Sequence, residues 1–159
     1  MLFMNIYSLL DESSIAANLQ VSSKEELIDE LVDLLQEKVS DDQLKKIRES
    51  VFEREDIMST GVGKQLAIPH GKCSSIDEIF ASFAMLEDPV DFNSIDNEPV
   101  RLAFLLVGPA QKNSSHIKLL SRISRLMNSS TFRDKLLACT SSEEIFQTFK
   151  EEEIQYFGS

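Results

Sequence analysis

The chain has 159 residues, 42% hydrophobic and 27% charged, a composition that fits one folded globular domain over residues 1–159 and excludes a disordered or fibrous protein. Its 27 acidic against 16 basic side chains leave a net charge of −11, which argues against nucleic acid or an anionic membrane as partner, since either polyanion is approached against the protein's own field. No apolar run approaches the ~18 residues of a membrane span, and the N-terminus lacks the basic segment and cleavage site of a leader, so a cytoplasmic location without membrane insertion is expected.

In chain order, residues 15–19 read as a short strand. A helix then starts at Ser22 or Ser23, where Ser-Lys-Glu-Glu offers a capping box, and Leu27, Leu31, Leu34 and Leu35 form its apolar stripe. A second helix starts at Ser40 with Gln43 in the reciprocal capping position. Leu44, Ile47, Val51 and Phe52 recur on one of its faces, and it ends before Gly61. The middle of the chain changes period. Leu66 to Pro69 reads as a strand stopped by its proline, while Ile79–Leu86 and Val100–Val107 are nearly continuous apolar runs, the pattern of strands covered on both faces. The last third returns to helix. His116, Leu119, Leu120, Ile123, Leu126 and Met127 make one stripe with Ser115 as its cap, and helices over 130–139 and 141–153 follow, the second opened by Thr140 with Glu143 three positions on. Helices before and after a block of strands predict an α/β fold, a three-layer α/β/α sandwich.

The chain has only two histidines, and both invite a chemical reading. His70 follows Ile68-Pro69 and precedes Gly71-Lys72, so a proline fixes the backbone before the imidazole and a glycine leaves the space beside it clear. That places a side chain at the end of a strand, where α/β sheets commonly carry their chemistry. Just upstream, Ser59-Thr60-Gly61-Val62-Gly63-Lys64 is a hydroxyl- and glycine-rich loop whose backbone N–H groups could hold an anion. It is not a nucleotide loop. A P-loop needs glycine at 58 and a hydroxyl at 65, where this chain has Met58 and Gln65, and Leu66 stands where a dinucleotide fingerprint needs its third glycine. His116 shares a helix face with Leu120, Ile123 and Met127 and so points inward near a helix N-terminus, while Lys118, Arg122 and Arg125 share the opposite face. Alone, an inward histidine is more often a core residue than a reactive one. Arg54 stands before the loop and could clamp a phosphoryl oxygen, although most such arginines are solvated. Segment 112–135 holds six basic residues and one acid, a solvated face or a docking surface. Two distant histidines and two isolated cysteines, Cys73 and Cys139, fall short of a metal signature, so no metal and no cofactor are expected.

Arg54-Glu55, then Ser59-Thr60-Gly61-Val62-Gly63, then Ala67-Ile68-Pro69-His70-Gly71-Lys72 together resemble the active-site signature of the type-2 EIIA domains of the bacterial phosphoenolpyruvate-dependent phosphotransferase system. This is the fructose/mannitol class, which includes the nitrogen-regulatory EIIA proteins. The likeness continues through Asp88-Pro89-Val90-Asp91-Phe92, Ile95 to Val100 and His116-Ile117-Lys118-Leu119-Leu120, and so spans nearly the whole chain. One position departs from the pattern, glycine being usual where Gln65 stands.

The resemblance implies a mixed central β-sheet flanked by helices and a phosphotransferase that works through a phosphohistidine. His70 would accept a phosphoryl group from an HPr-type phosphocarrier, with His116 and Arg54 flanking it and Ser59 and Thr60 completing the phosphoryl-binding loop. Two roles follow. A regulatory protein would have its complexes with target proteins gated by phosphorylation, and the Asp91-Phe92-x-x-Ile95-Asp96-Asn97-x-Pro99-Val100 stretch looks more like this nitrogen-regulatory branch. A transport component would pass the group to an EIIB domain of a fructose/mannitol-type permease during sugar uptake.

Overall fold

The helix starts follow from side chains that satisfy the unpaired first N–H groups. The computed structural model describes residues 5–111 and 113–158, and of Asn113 the backbone alone. Helix α1 (Lys24–Asp33) is capped by Ser23, whose hydroxyl accepts from the Glu26 N–H at 3.1 Å. The reciprocal half of the predicted box is absent, because the Glu26 carboxylate takes the Ser22 hydroxyl. Helix α2 (Asp41–Ile57) has the full box, Ser40 with Gln43. Helix α3 (Asn113–Met127) begins before the expected cap Ser115, which lies inside its first turn, and Lys112, ahead of it, lies outside the described residues. After α4 (Ser130–Leu137), helix α5 (Ser142–Phe157) is capped by Ser141 rather than Thr140. The Thr140 N–H and hydroxyl both go to the Glu144 carboxylate instead.

The strands are β1 (Ile15–Leu19), β2 (Gly61–Gly63), β3 (Leu66–Ala67), β4 (His70–Cys73), β5 (Phe80–Val90) and β6 (Val100–Pro109). They form one mixed sheet in the order β1-β5-β6-β3-β2, with β4 also on β6. The two apolar runs predicted to be covered twice are its centre. Phe83, Met85, Leu102, Phe104 and Leu106 pack with Leu119, Ile123, Met127, Phe132 and Phe149 from α3, α4 and α5. The alternate residues Ala84, Leu86, Ala103, Leu105 and Val107 pack with Leu27, Leu31, Ile47 and Val51 from α1 and α2. Period-2 alternation with apolar residues at every position fills both faces, which makes the three layers. Among the described residues no helix is long and apolar enough to cross a membrane.

The site lies at a break in the sheet. Strands β3 and β4 both run parallel to β6, pairing Leu66 with Leu102 and His70 with Leu106, so they are one strand interrupted at Ile68-Pro69. His70 therefore begins a strand segment rather than ending one. Gly71 has a different use from the predicted one. A Cβ there would meet the Ser50 hydroxyl at 3.0 Å and the α2 backbone at 3.2 Å, so the glycine lets α2 lie directly on β4. The β2–β3 hairpin turns on Lys64 and Gln65, both left-handed, at φ 59° and 66°. Non-glycine residues there cost roughly 1–2 kcal/mol each. The turn is held because the Lys64 N–H donates to Asp96 at 2.9 Å and the Gln65 carbonyl accepts from Arg101 and Leu102 at 2.9 and 3.0 Å. Gln65 thus keeps the hairpin geometry without the usual glycine.

Candidate active site

His70 is fixed by its own backbone. Pro69 carries no N–H and stiffens the chain, its carbonyl accepts from the Leu106 N–H at 3.1 Å, and the imidazole folds back so that Nδ1 lies 2.9 Å from the Ile68 carbonyl. A carbonyl can only accept, so Nδ1 carries the proton and Nε2 keeps its lone pair. Burial pushes the His70 pKa down. The Ile68 hydrogen bond opposes that, and the charges of Arg54 and Lys72 add to the depression while Glu55 opposes it. The ring is neutral and nucleophilic at neutral pH.

His116 comes to it from α3. The two ring centroids are 5.8 Å apart and tilted by 58°, although the residues are far apart in sequence. His116 is 3% exposed, yet neither ring nitrogen has a hydrogen-bond partner among the described residues. A satisfied core histidine would have one, because an unpaired buried polar group costs about 1–3 kcal/mol. Gly108 makes room for the ring, since a Cβ there would stand 3.0 Å from His116 Nδ1. Burial first, then the neighbouring His70 and Lys72, depress the His116 pKa from 6.5 to about 4.

That depression has a consequence for stability. Between about pH 6.5 and 4 the unfolded chain binds a proton that native His116 refuses, so stability is full above that window and is lost as the pH falls through it. The full shift corresponds to about 3 kcal/mol, which solvent screening reduces to roughly 1–2 kcal/mol. Denaturant titrations at pH 7, 5.5 and 4 measure the loss. His116→Gln should flatten the curve by that amount, and an equally steep curve in the variant would remove His116 as its source.

The remaining predicted residues divide. Arg54, in the last turn of α2, donates from Nη1 to the Met58 carbonyl at 2.8 Å, and its charge reaches His70. Its other donors have no protein partner among the described residues. Ser59 and Thr60 are engaged within the protein. The Ser59 hydroxyl donates to the Phe92 carbonyl at 2.8 Å and accepts from the Gly61 N–H at 3.1 Å. The Thr60 N–H donates to Glu55 at 2.7 Å, and its hydroxyl donates to the same carboxylate. The loop does hold an anion, but the anion is Glu55, itself 5% exposed and paired with Lys24 at 3.0 Å. Sequence reasoning passed over Glu55, although it continues the buried Ile47–Val51 spacing of α2 and so marks a carboxylate facing inward. Gly108 was also missed, and its signal was a glycine inside an otherwise apolar strand. In the basic segment, Arg122 is neither solvated nor free to dock, because it pairs with buried Glu153 and stacks on Phe157 at 3.9 Å. Among the described residues no three potential metal ligands converge.

Comparison with known proteins shows the family of the chain. The family described as "Phosphoenolpyruvate-dependent sugar phosphotransferase system, EIIA 2" matches residues 8–152. The chain is 36% identical over 143 residues to a nitrogen regulatory protein of Bradyrhizobium diazoefficiens, covering 90% of this chain and 93% of that one. It is 35% identical to the fructose-specific EIIABC component of Bacillus subtilis, over 89% of this chain but 22% of the longer protein. The crystal structure of nitrogen regulatory protein IIA-Ntr from Neisseria meningitidis superposes with a TM-score of 0.85 at 30% identity, covering 91% of this chain and 98% of that one.

Proposed function

The chain belongs to the EIIA type-2 family of the phosphoenolpyruvate-dependent sugar phosphotransferase system, and from that premise we propose that residues 1–159 are a single phosphocarrier domain with His70 as the residue that receives the phosphoryl group. The observation that carries this is the His70 ring, held with Nδ1–H on the Ile68 carbonyl and Nε2 unprotonated, beside a second buried histidine with no partner of its own.

The Nε2 lone pair attacks the phosphorus of a phosphohistidine on an HPr-type carrier. As the new N–P bond forms, the donor's N–P bond breaks and its electron pair returns to the donor imidazole. The Ile68 carbonyl supports the positive character that the His70 ring then gains. His116 is neutral before transfer and so does not repel a cationic group on the carrier, and its burial keeps it from competing for the phosphoryl group. Once the dianionic group arrives, its charge favours protonation of His116, which then donates to a phosphoryl oxygen. Arg54 supplies its unengaged N–H donors to another oxygen. Ser59 and Thr60 serve the phosphoryl group indirectly, by fastening the loop beside it.

A protein donor also accounts for the apolar surface. Ile57, Met58, Ile95 and Ile117 are 80%, 70%, 84% and 63% exposed. They follow Arg54, neighbour the Gly61 loop through the Ile95 N–H to Gly61 carbonyl bond, and adjoin His116. Exposed apolar side chains around charged reacting groups suit docking of another protein better than a sugar.

The regulatory branch is the better reading, supported by the nitrogen regulatory relative at 36% identity and by the IIA-Ntr structure, which superposes at a TM-score of 0.85 against 0.72 for mannitol IIA from Escherichia coli. The resulting complexes with target proteins would form or break with the charge on His70. The transport reading rests on the comparable identity to the fructose-specific component. Intact mass after incubation with phosphoenolpyruvate, enzyme I and an HPr-type carrier tests the common step. One acid-labile phosphoryl group is expected, and none would refute the carrier function. Adding an isolated fructose-type EIIB then separates the roles, since rapid loss of the group to EIIB favours transport.

Arg54→Lys should slow loading by about tenfold to a hundredfold although the charge is kept, because a lysine cannot offer two parallel N–H donors. Rapid-quench rates check this. A lysine variant loading at the wild-type rate would limit Arg54 to a general electrostatic part.

A further inference from the structure

Glu55 takes no part in the transfer as written, yet an unbroken run of hydrogen bonds leads from it to the nucleophile. Its Oε2 accepts the Lys24 ammonium at 3.0 Å and the Thr60 N–H at 2.7 Å, and its Oε1 accepts the Thr60 hydroxyl. The Thr60 carbonyl accepts the Ile68 N–H at 3.0 Å, and the Ile68 carbonyl accepts His70 Nδ1–H at 2.9 Å. We infer that Glu55 is a positioning residue which, through Thr60 and the Ile68 backbone, sets the tautomer and orientation of the His70 ring. The kinetic consequence rests on the phosphocarrier reading; the brace itself does not.

A carboxylate suits this run best. Three donors converge on Glu55, and a carboxylate is an acceptor at every lone pair. A glutamine with its NH2 toward Lys24 and the Thr60 N–H would lose both of those contacts, and with its NH2 toward the Thr60 hydroxyl it would reverse that hydrogen bond and lose the charge that holds Lys24. Residue Ile68 links Thr60 to the imidazole, and its two backbone groups, which lie in the successive peptides on either side of its Cα, are both pinned: the N–H by Thr60 and the carbonyl by His70. Letting Thr60 drift therefore tilts the carbonyl that fixes the Nδ1 proton. Glu55 also directly follows Arg54, so the same anchor fixes the helix turn that carries the guanidinium. Lys24 is held in turn over the Phe92 ring at 4.7 Å, and the Phe92 carbonyl takes the Ser59 hydroxyl, which closes the brace around the loop.

Two readouts test it on the full chain: imidazole nitrogen NMR of the unphosphorylated protein, and single-turnover loading from a phosphorylated HPr-type carrier. The variants are Glu55→Gln, Thr60→Val and Thr60→Ser. In the wild type His70 should show a protonated Nδ1 and a bare Nε2. In Glu55→Gln and Thr60→Val the spectrum should move toward the mixed tautomers of a free imidazole, and the loading rate should fall about tenfold to a hundredfold at unchanged carrier affinity, as for a misplaced reacting group. Thr60→Ser keeps the hydroxyl and should restore both. The inference is overturned if Thr60→Val keeps the wild-type tautomer and loads within twofold of the wild type. It is overturned equally if the rate falls only in step with thermal stability while the tautomer stays put. Should Glu55→Gln fail to fold, Thr60→Val decides alone. If the wild type accepts no phosphoryl group, the carrier function fails, and the NMR comparison still decides the brace.

Discussion

His70→Ala should fold normally and take up no phosphoryl group. The substitution removes the one imidazole whose Nε2 is unprotonated and within reach of a partner, while the backbone that pairs β4 with β6 is untouched. His116 cannot substitute for it. Its ring is 3% exposed and packed against Gly108, so an incoming carrier cannot bring a phosphorus atom in line with either of its nitrogens. Loss of a nucleophile leaves no covalent route, so the effect is complete rather than a slowing. Intact mass after carrier incubation, alongside a thermal melt, measures both halves of the claim. A phosphorylated His70→Ala protein would place the nucleophile elsewhere.

The second large effect concerns the fold. Glu153→Ala should cost about 3–5 kcal/mol, the usual result of removing one partner from a buried charged network. Glu153 is fully buried and accepts the Ile6 N–H at 2.8 Å, the Tyr7 N–H at 2.9 Å and Arg122 Nε at 2.5 Å. Truncation would leave two backbone donors without an acceptor and the Arg122 guanidinium with only a long contact to Asn5 Oδ1 at 3.4 Å, at the place where Ile6 and Tyr7, α3 and α5 meet. Against the 5–15 kcal/mol that holds a typical domain folded, that is a large fraction. Urea unfolding of the two proteins at pH 7 gives the number, and a difference below 1 kcal/mol would mean that water or a shifted Arg122 satisfies the site.

The two buried carboxylates show how far a sequence can be read. Glu55 continues Ile47–Val51, and Glu153 continues Ile145–Phe149, each at the four-residue spacing of a buried helix face. The spacing says that these carboxylates face inward. It does not say which donors meet them, because Lys24, Thr60, Ile6 and Arg122 arrive from other elements. The Ser59–Lys64 loop shows the same limit. Its composition suits an anion, and the nearest anion is supplied by the chain itself. His116 shows the reverse case. Helical periodicity predicts its inward direction, and the buried position bears this out. Only its unpartnered nitrogens beside His70 distinguish a site from a core residue.

By itself the sequence determined the local and periodic features. The serine caps at Ser40 and near Ser23, the doubly apolar strands, the layer order and the family signature around His70 depend on interactions within a few residues or on a repeating pattern, and both are written in one dimension. The tertiary structure alone decided the rest: the meeting of His70 with His116, the break of one strand into β3 and β4, the close packing of α2 on Gly71, and the capture of the Thr60 loop by Glu55. Each of these depends on the distance between atoms remote in the chain. That distance is set by how the two helical layers settle on the sheet, which no local pattern encodes.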